Sequence, residues 1–138
     1  MPKVFIDTNI FLRTLIKEDK KSFQDSFQLL QNVKTNKLRG VTSSVVLSEV
    51  AWTLLSYYKF SKPEVVKALR SIINLRGLSI IDKFQHETAL SLYEKNGIKF
   101  IDALIVSNPD ISSKNWVIIS YDQDFDKINV KRMEPHQV

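Results

Sequence analysis

Four acids stand isolated in apolar surroundings: Asp7, Glu49, Asp102 and Asp122. Asp7 is the only charge between Lys3 and Arg13, Glu49 the only one between Arg39 and Lys59, and Asp102 the only one between Lys99 and Asp110. Asp122 follows the apolar run Trp116-Val117-Ile118-Ile119 and Ser120. A buried carboxylate without compensation costs several kcal/mol, so four scattered ones would rival the stability of a domain. They become tolerable if the fold gathers them around a shared cation. An all-oxygen site of high negative charge suits Mg²⁺, with Mn²⁺ able to substitute. Such ions activate water and stabilise the oxygens of an in-line phosphoryl displacement. Asp124 is a possible fifth ligand, and its direction is open at this level. Thr8, Asn9 and Ser120 are the hydroxyl and amide groups placed to orient carboxylates and waters.

Each acid also has a plainer reading. Asp7 and Asp102 can cap the helices that follow them, and Glu49 can reach solvent from a helix edge. Asp122 and Asp124 occupy a turn, where aspartate is ordinary. Asp82, Asp110 and Asp126 read as solvated turn or cap residues. Trp52 and Tyr58 read as core or interface residues. His86 and His136 are isolated and read as solvated. The sequence has no cysteine, which excludes disulfides and thiolate metal sites.

The elements that must position these acids follow from the apolar pattern. Val4-Phe5-Ile6 is a buried strand delivering Asp7 at its end. Ile10 to Ile16 is a short helix. Glu18 to Lys21 is a solvated break, and Ser22 to Lys34 a helix with Phe23, Phe27 and Leu30 at helical spacing. Leu38 to Thr42 is a second strand. Ser43 or Ser44 caps a helix over Val45 to Tyr58, with Leu47, Ala51, Leu54, Leu55 and Tyr58 as its apolar stripe. Ser61-Lys62-Pro63-Glu64 is a capping box opening a helix to Leu75, which Gly77 stops. On that helix Val66, Leu69 and Ile73 form the expected packing side, while Lys67, Arg70 and Arg76 are open to an RNA-contacting role. Leu78 to Ile81 is a third strand, Phe84 to Asn96 a helix, and Phe100 to Val106 a helix carrying Asp102. Trp116 to Ser120 is a buried strand delivering Asp122. Val130 to Met133 is a last edge strand. Strands alternating with helices indicate an α/β fold, a mostly parallel sheet covered on both faces. Ligands of such sheets sit just beyond the carboxyl ends of the strands, where Asp7 and Asp122 fall.

The 138 residues are an expected single domain, with an apolar fraction of 43%. No apolar run reaches the ~18 residues of a membrane span, and the chain opens directly on a strand pattern without signal-peptide design. The expectation is a cytoplasmic protein. A formal net charge of +5 fits a polyanion partner as well as simple solubility.

Asp7-Thr8-Asn9 after a first strand, Ser48-Glu49 with Trp52 in a helix, Asp102-Ala103 in an apolar helix, and Ser120-Tyr121-Asp122-Gln123-Asp124-Phe125 after a strand resemble a PIN domain. Their order and spacing, and the chain length, resemble the VapC-type toxins of toxin–antitoxin pairs, and the resemblance spans residues 1–138. It implies a three-layer α/β/α sandwich and a Mg²⁺- or Mn²⁺-dependent endoribonuclease. It also implies a frequent homodimer and a small antitoxin that blocks the site. Asp7, Glu49, Asp102 and Asp122 match the family's acidic quartet. The residues alone leave open a DNA-directed or structure-specific nuclease, and a non-catalytic metal- or RNA-binding module.

Overall fold

The computed structural model describes residues 2–138. Five strands form one sheet: β1 (Lys3–Ile6), β2 (Arg39–Thr42), β3 (Leu78–Ile80), β4 (Val117–Ile119) and β5 (Arg132–Met133). Their spatial order is β3-β2-β1-β4-β5, and every neighbouring pair is parallel. Parallel neighbours need crossovers, which seven helices supply: α1 (Thr8–Leu15), α2 (Lys20–Lys34), α3 (Ser44–Ser56), α4 (Lys62–Ile73), α5 (His86–Lys95), α6 (Phe100–Val106) and α7 (Pro109–Ser112). Successive strand residues point to opposite faces, yet Val4, Phe5 and Ile6 are all buried, as are Ile118 and Ile119. Both faces of the sheet are therefore covered, giving the α/β/α sandwich. Among the described residues no helix is long and apolar enough to cross a membrane.

The strand order sets the site. From β1 the chain moves outward through β2 to β3, then returns to the other side of β1 for β4 and β5. The order reverses between β1 and β4, whose register pairs Ile6 with Ile119. At such a reversal the loops after the two strands diverge and leave a crevice. Asp7 and the Ser120–Asp122 turn open into this crevice.

Several elements differ from the apolar pattern in an instructive way. α2 starts at Lys20 because the Asp19 carboxylate accepts the Ser22 N–H at 2.8 Å, so part of the expected break is its first turn. On α2 it is Leu29 and Val33 that enter the core, while Phe27 is half exposed. On α3 the buried set is Val46, Val50 and Leu54, and Leu55 lies at the surface. On α4 the buried set is Val65, Ala68 and Ile72, leaving Val66 and Ile73 exposed. In each case the helix carries two adjacent apolar stripes, and spacing alone does not choose between them. The capping box of α4 forms as expected, Glu64 N–H to Ser61 Oγ at 3.3 Å and Ser61 N–H to Glu64 Oε1 at 2.9 Å. Gly77 has φ +85°, and a Cβ there would collide with the Val33 carbonyl oxygen, so only glycine fits this turn before β3.

Candidate active site

Asp7, Glu49, Asp102 and Asp122 line one hollow of about 180 Å³. Asp7 arrives from the end of β1, Glu49 from the middle of α3, Asp102 from the first turn of α6, and Asp122 from the turn after β4. Thr8 and Asn9 also line it.

Asp7 stands at the N-cap position of α1, but its side chain makes no capping bond to that helix. Its Oδ2 instead accepts the Ser120 hydroxyl at 2.6 Å and the Asn9 amide at 3.5 Å. Asn9 also donates to Ser120 Oγ at 3.1 Å and accepts the Tyr121 N–H at 3.1 Å. Ser120 Oγ accepts the Asp122 N–H at 3.0 Å. These bonds stitch the end of β1 to the end of β4 and aim the first and last acids. The Thr8 hydroxyl is buried without a hydrogen-bond partner.

Asp102 is the third residue of α6, and Lys99 holds that helix's N-cap position, so Asp102 is no cap. It is 3% exposed, and its Oδ2 has no hydrogen-bond partner. Asp122 serves twice: Oδ1 accepts the Asp124 N–H at 2.9 Å and caps the short 3-10 turn Gln123–Lys127, while Oδ2 faces the hollow. Asp124 is drawn to Lys127 at 3.0 Å, yet one of its oxygens stays within 4.8 Å of oxygens of Asp102 and Asp122.

The electrostatics are those of crowded acids. Burial raises the Asp7 carboxyl from 3.8 to about 6, outweighing the Ser120 hydroxyl that stabilises its anion. Burial raises Asp102 to about 7, against the opposing pull of Lys99, with Asp7, Asp122 and Glu49 adding repulsion. A buried carboxylate oxygen without a donor, beside two further carboxylates, fits a divalent cation by donor chemistry and by charge.

Lys99 is the site residue that the apolar pattern overlooks. Its ammonium lies 4.0 Å from Glu49 Oε2 and 3.9 Å from Asp122 Oδ2. The available signal was its position three residues before Asp102, the spacing that puts two side chains on one side of a helix. Arg132 was overlooked too. It donates to the Ser120 carbonyl at 2.9 Å while gripping Asp126 through two bonds at 2.9 and 3.0 Å. Asp126 is thus an ion-pair partner rather than a merely solvated turn residue. Asp82 bonds the Ser44 N–H at 2.7 Å and its hydroxyl at 2.6 Å, holding the start of α3 from a distant loop. Trp52 is 68% exposed and is not a core residue.

An all-parallel sheet with an acidic crevice at its strand-order reversal defines an α/β/α protein whose site lies at the switch point of the sheet. The PIN domain family model matches residues 4–131, and the chain belongs to that family. A solved structure similar in fold is the crystal structure of VapBC2 from Rickettsia felis bound to a DNA fragment from their promoter. The likeness has a TM-score of 0.65 and 22% identity, covering 96% of this chain and 98% of the other. No curated protein matches this sequence.

Proposed function

We propose that this protein is a Mg²⁺-dependent endoribonuclease, with Mn²⁺ able to substitute, and the toxin of a cytoplasmic toxin–antitoxin pair acting as a single nuclease domain. The carrying observation is the meeting of Asp7, Glu49, Asp102 and Asp122 in one hollow where Asp102 Oδ2 lacks any donor. Family membership and the VapBC2 likeness support the reading.

In this mechanism Asp7, Glu49, Asp102, Asp122 and Asp124 are the carboxylates that would hold divalent metal, Asp102, Asp122 and Asp124 lying close enough to share one ion. The bound cation supplies Lewis acidity to activate water and offset charge on the phosphate. The chain's own groups do the positioning. The Ser120 hydroxyl and the Asn9 amide fix the Asp7 carboxylate, and Ser120 Oγ fixes the backbone that presents Asp122. The RNA strand is drawn to the site by the chain's basic excess. The products are 3′-hydroxyl and 5′-phosphate ends.

The test is digestion of total RNA with Mg²⁺ or Mn²⁺, with and without chelator, and mapping of product ends. Chelator-sensitive cuts carrying those ends are expected. Equal cutting of DNA would point to a DNA- or structure-specific nuclease instead. Metal binding without cleavage of any nucleic acid would point to a non-catalytic module.

The partners follow from the same reading. A small antitoxin that blocks the hollow should abolish cleavage in the co-purified complex. For the homodimer, the face beside Glu49 is suited: Trp52 and the 39% exposed Phe100 border an apolar hollow with Val45, Ile101 and Leu104. Trp52→Glu should convert a dimer to a monomer in sedimentation, and a persisting dimer would remove this face from consideration.

A further inference from the structure

Lys99 stands between Glu49 and the acids around Asp122, while Asp7 is bonded to Ser120. Oxygens of Asp102, Asp122 and Asp124 lie within 4.8 Å of one another, close enough for one ion to reach all three. Glu49 stands outside that trio, and between it and Asp122 lies the Lys99 ammonium, 4.0 Å from one carboxylate and 3.9 Å from the other. These separations are too long for hydrogen bonds, so the ammonium bridges two acids by charge and pairs fully with neither. Among the described residues, Lys99 is the sole cationic side chain lining the hollow.

We infer that Lys99 occupies the place of a second divalent cation between Glu49 and Asp122, so that the resting site admits one ion at the Asp102–Asp122–Asp124 trio. The inference rests on the metal-centred reading above. Two divalent ions would bring four positive charges to the site, whereas one ion with the lysine brings three, and the lysine offsets the charge of Glu49 without a metal. The side chain is 60% exposed, so it is free to swing into solvent, and its removal opens no core. The second place is then reserved rather than absent: Glu49 is present, oriented by α3, and covered by a residue of the same chain.

The test is Mn²⁺ titration of the metal-free protein, counted by electron paramagnetic resonance and by calorimetry, without RNA. One bound Mn²⁺ is expected for the parent and for Lys99→Arg. Two are expected for Lys99→Met, and one again for Lys99→Met combined with Glu49→Gln. Lys99→Gln serves as a second neutral variant, with circular dichroism melting as the folding control. Two ions on the parent, one ion on both neutral variants, or a second ion that survives Glu49→Gln would overturn the assignment. No ion on any of these proteins would instead remove the metal reading itself, and the inference with it.

Discussion

Two groups of acids in the molecule are treated in opposite ways: those gripped by Arg132 and those buried in the hollow. Asp126 is gripped by Arg132 at 2.9 and 3.0 Å, and that bonding holds its carboxyl below the usual range. Glu134 joins the same guanidinium at 3.2 Å. Asp7 and Asp102, by contrast, are buried with no cation bonded to them, and their carboxyls rise to about 6 and about 7. Where an acid serves the architecture, the fold supplies a partner and gains stability. Where an acid is kept for chemistry, the fold withholds the partner and carries the cost, as perturbed carboxyls at functional sites do. Arg132 links the two regimes, because its remaining bond goes to the carbonyl of Ser120, whose hydroxyl aims Asp7.

The contrast can be broken at either pole. Asp7→Asn should lower RNA cleavage on the order of 10³-fold while the protein stays folded, since the amide keeps the shape and loses the charge. Undiminished cutting by the purified variant under Mn²⁺ would end the assignment of Asp7.

The pH dependence should separate the two groups next. An acid whose carboxyl is raised on folding binds its proton more tightly in the native state. Its contribution is full below the unfolded value of 3.8 and is lost as pH rises through the folded value of about 6. Metal-free protein should therefore lose about 2 kcal/mol through Asp7 between pH 4 and 7. Asp126 runs the other way: its contribution is present at neutral pH and is lost only in acid, below 3.8. Denaturant melts of metal-free parent and Asp7→Asn across this range measure the difference. The variant should be the flatter of the two and the more stable at pH 7, and Mn²⁺ should restore the parent. Parallel curves would contradict the cost assigned to Asp7.

At the architectural pole, Arg132→Ala should cost about 2 kcal/mol, because it strips charged bonds from Asp126 and Glu134 and a donor from the Ser120 carbonyl. Chemical unfolding reads this directly, and a loss below a few tenths would mean the trio is ornamental. The smallest effect is expected from Ser120→Ala. It removes the donor to Asp7 and the acceptor for Asn9 and Asp122, and should weaken Mn²⁺ binding about tenfold with little change in stability. Calorimetry decides it: unchanged affinity would mean that Asp7 does not depend on this hydroxyl.

Much of this was legible along the chain. Val4 to Ile6 and Val117 to Ile119 are apolar runs too short for helices and bounded by polar residues, so they read as buried strands. The Ser61–Glu64 capping box carries its own geometry. Glu49 and Asp102 betrayed themselves because a lone charge in an apolar helix needs a reason. The packing faces of α2 and α4 were not legible, since neighbouring stripes such as Leu29–Val33 and Phe27–Leu30 differ only by one position. Asp126 read as a solvated turn residue because its partner, Arg132, is six residues away on another strand.

The sequence by itself determined which acids are chemically costly and which strands would deliver two of them, because desolvation and apolar patterning act on local composition. Only the tertiary structure decided that β1 and β4 lie side by side at the reversal of strand order, that Glu49 and Asp102 face the same hollow, and that Lys99 stands among them. Parallel strands are joined by crossovers long enough to permit many arrangements, and the choice among them is made by packing over the sheet rather than by any one stretch of chain.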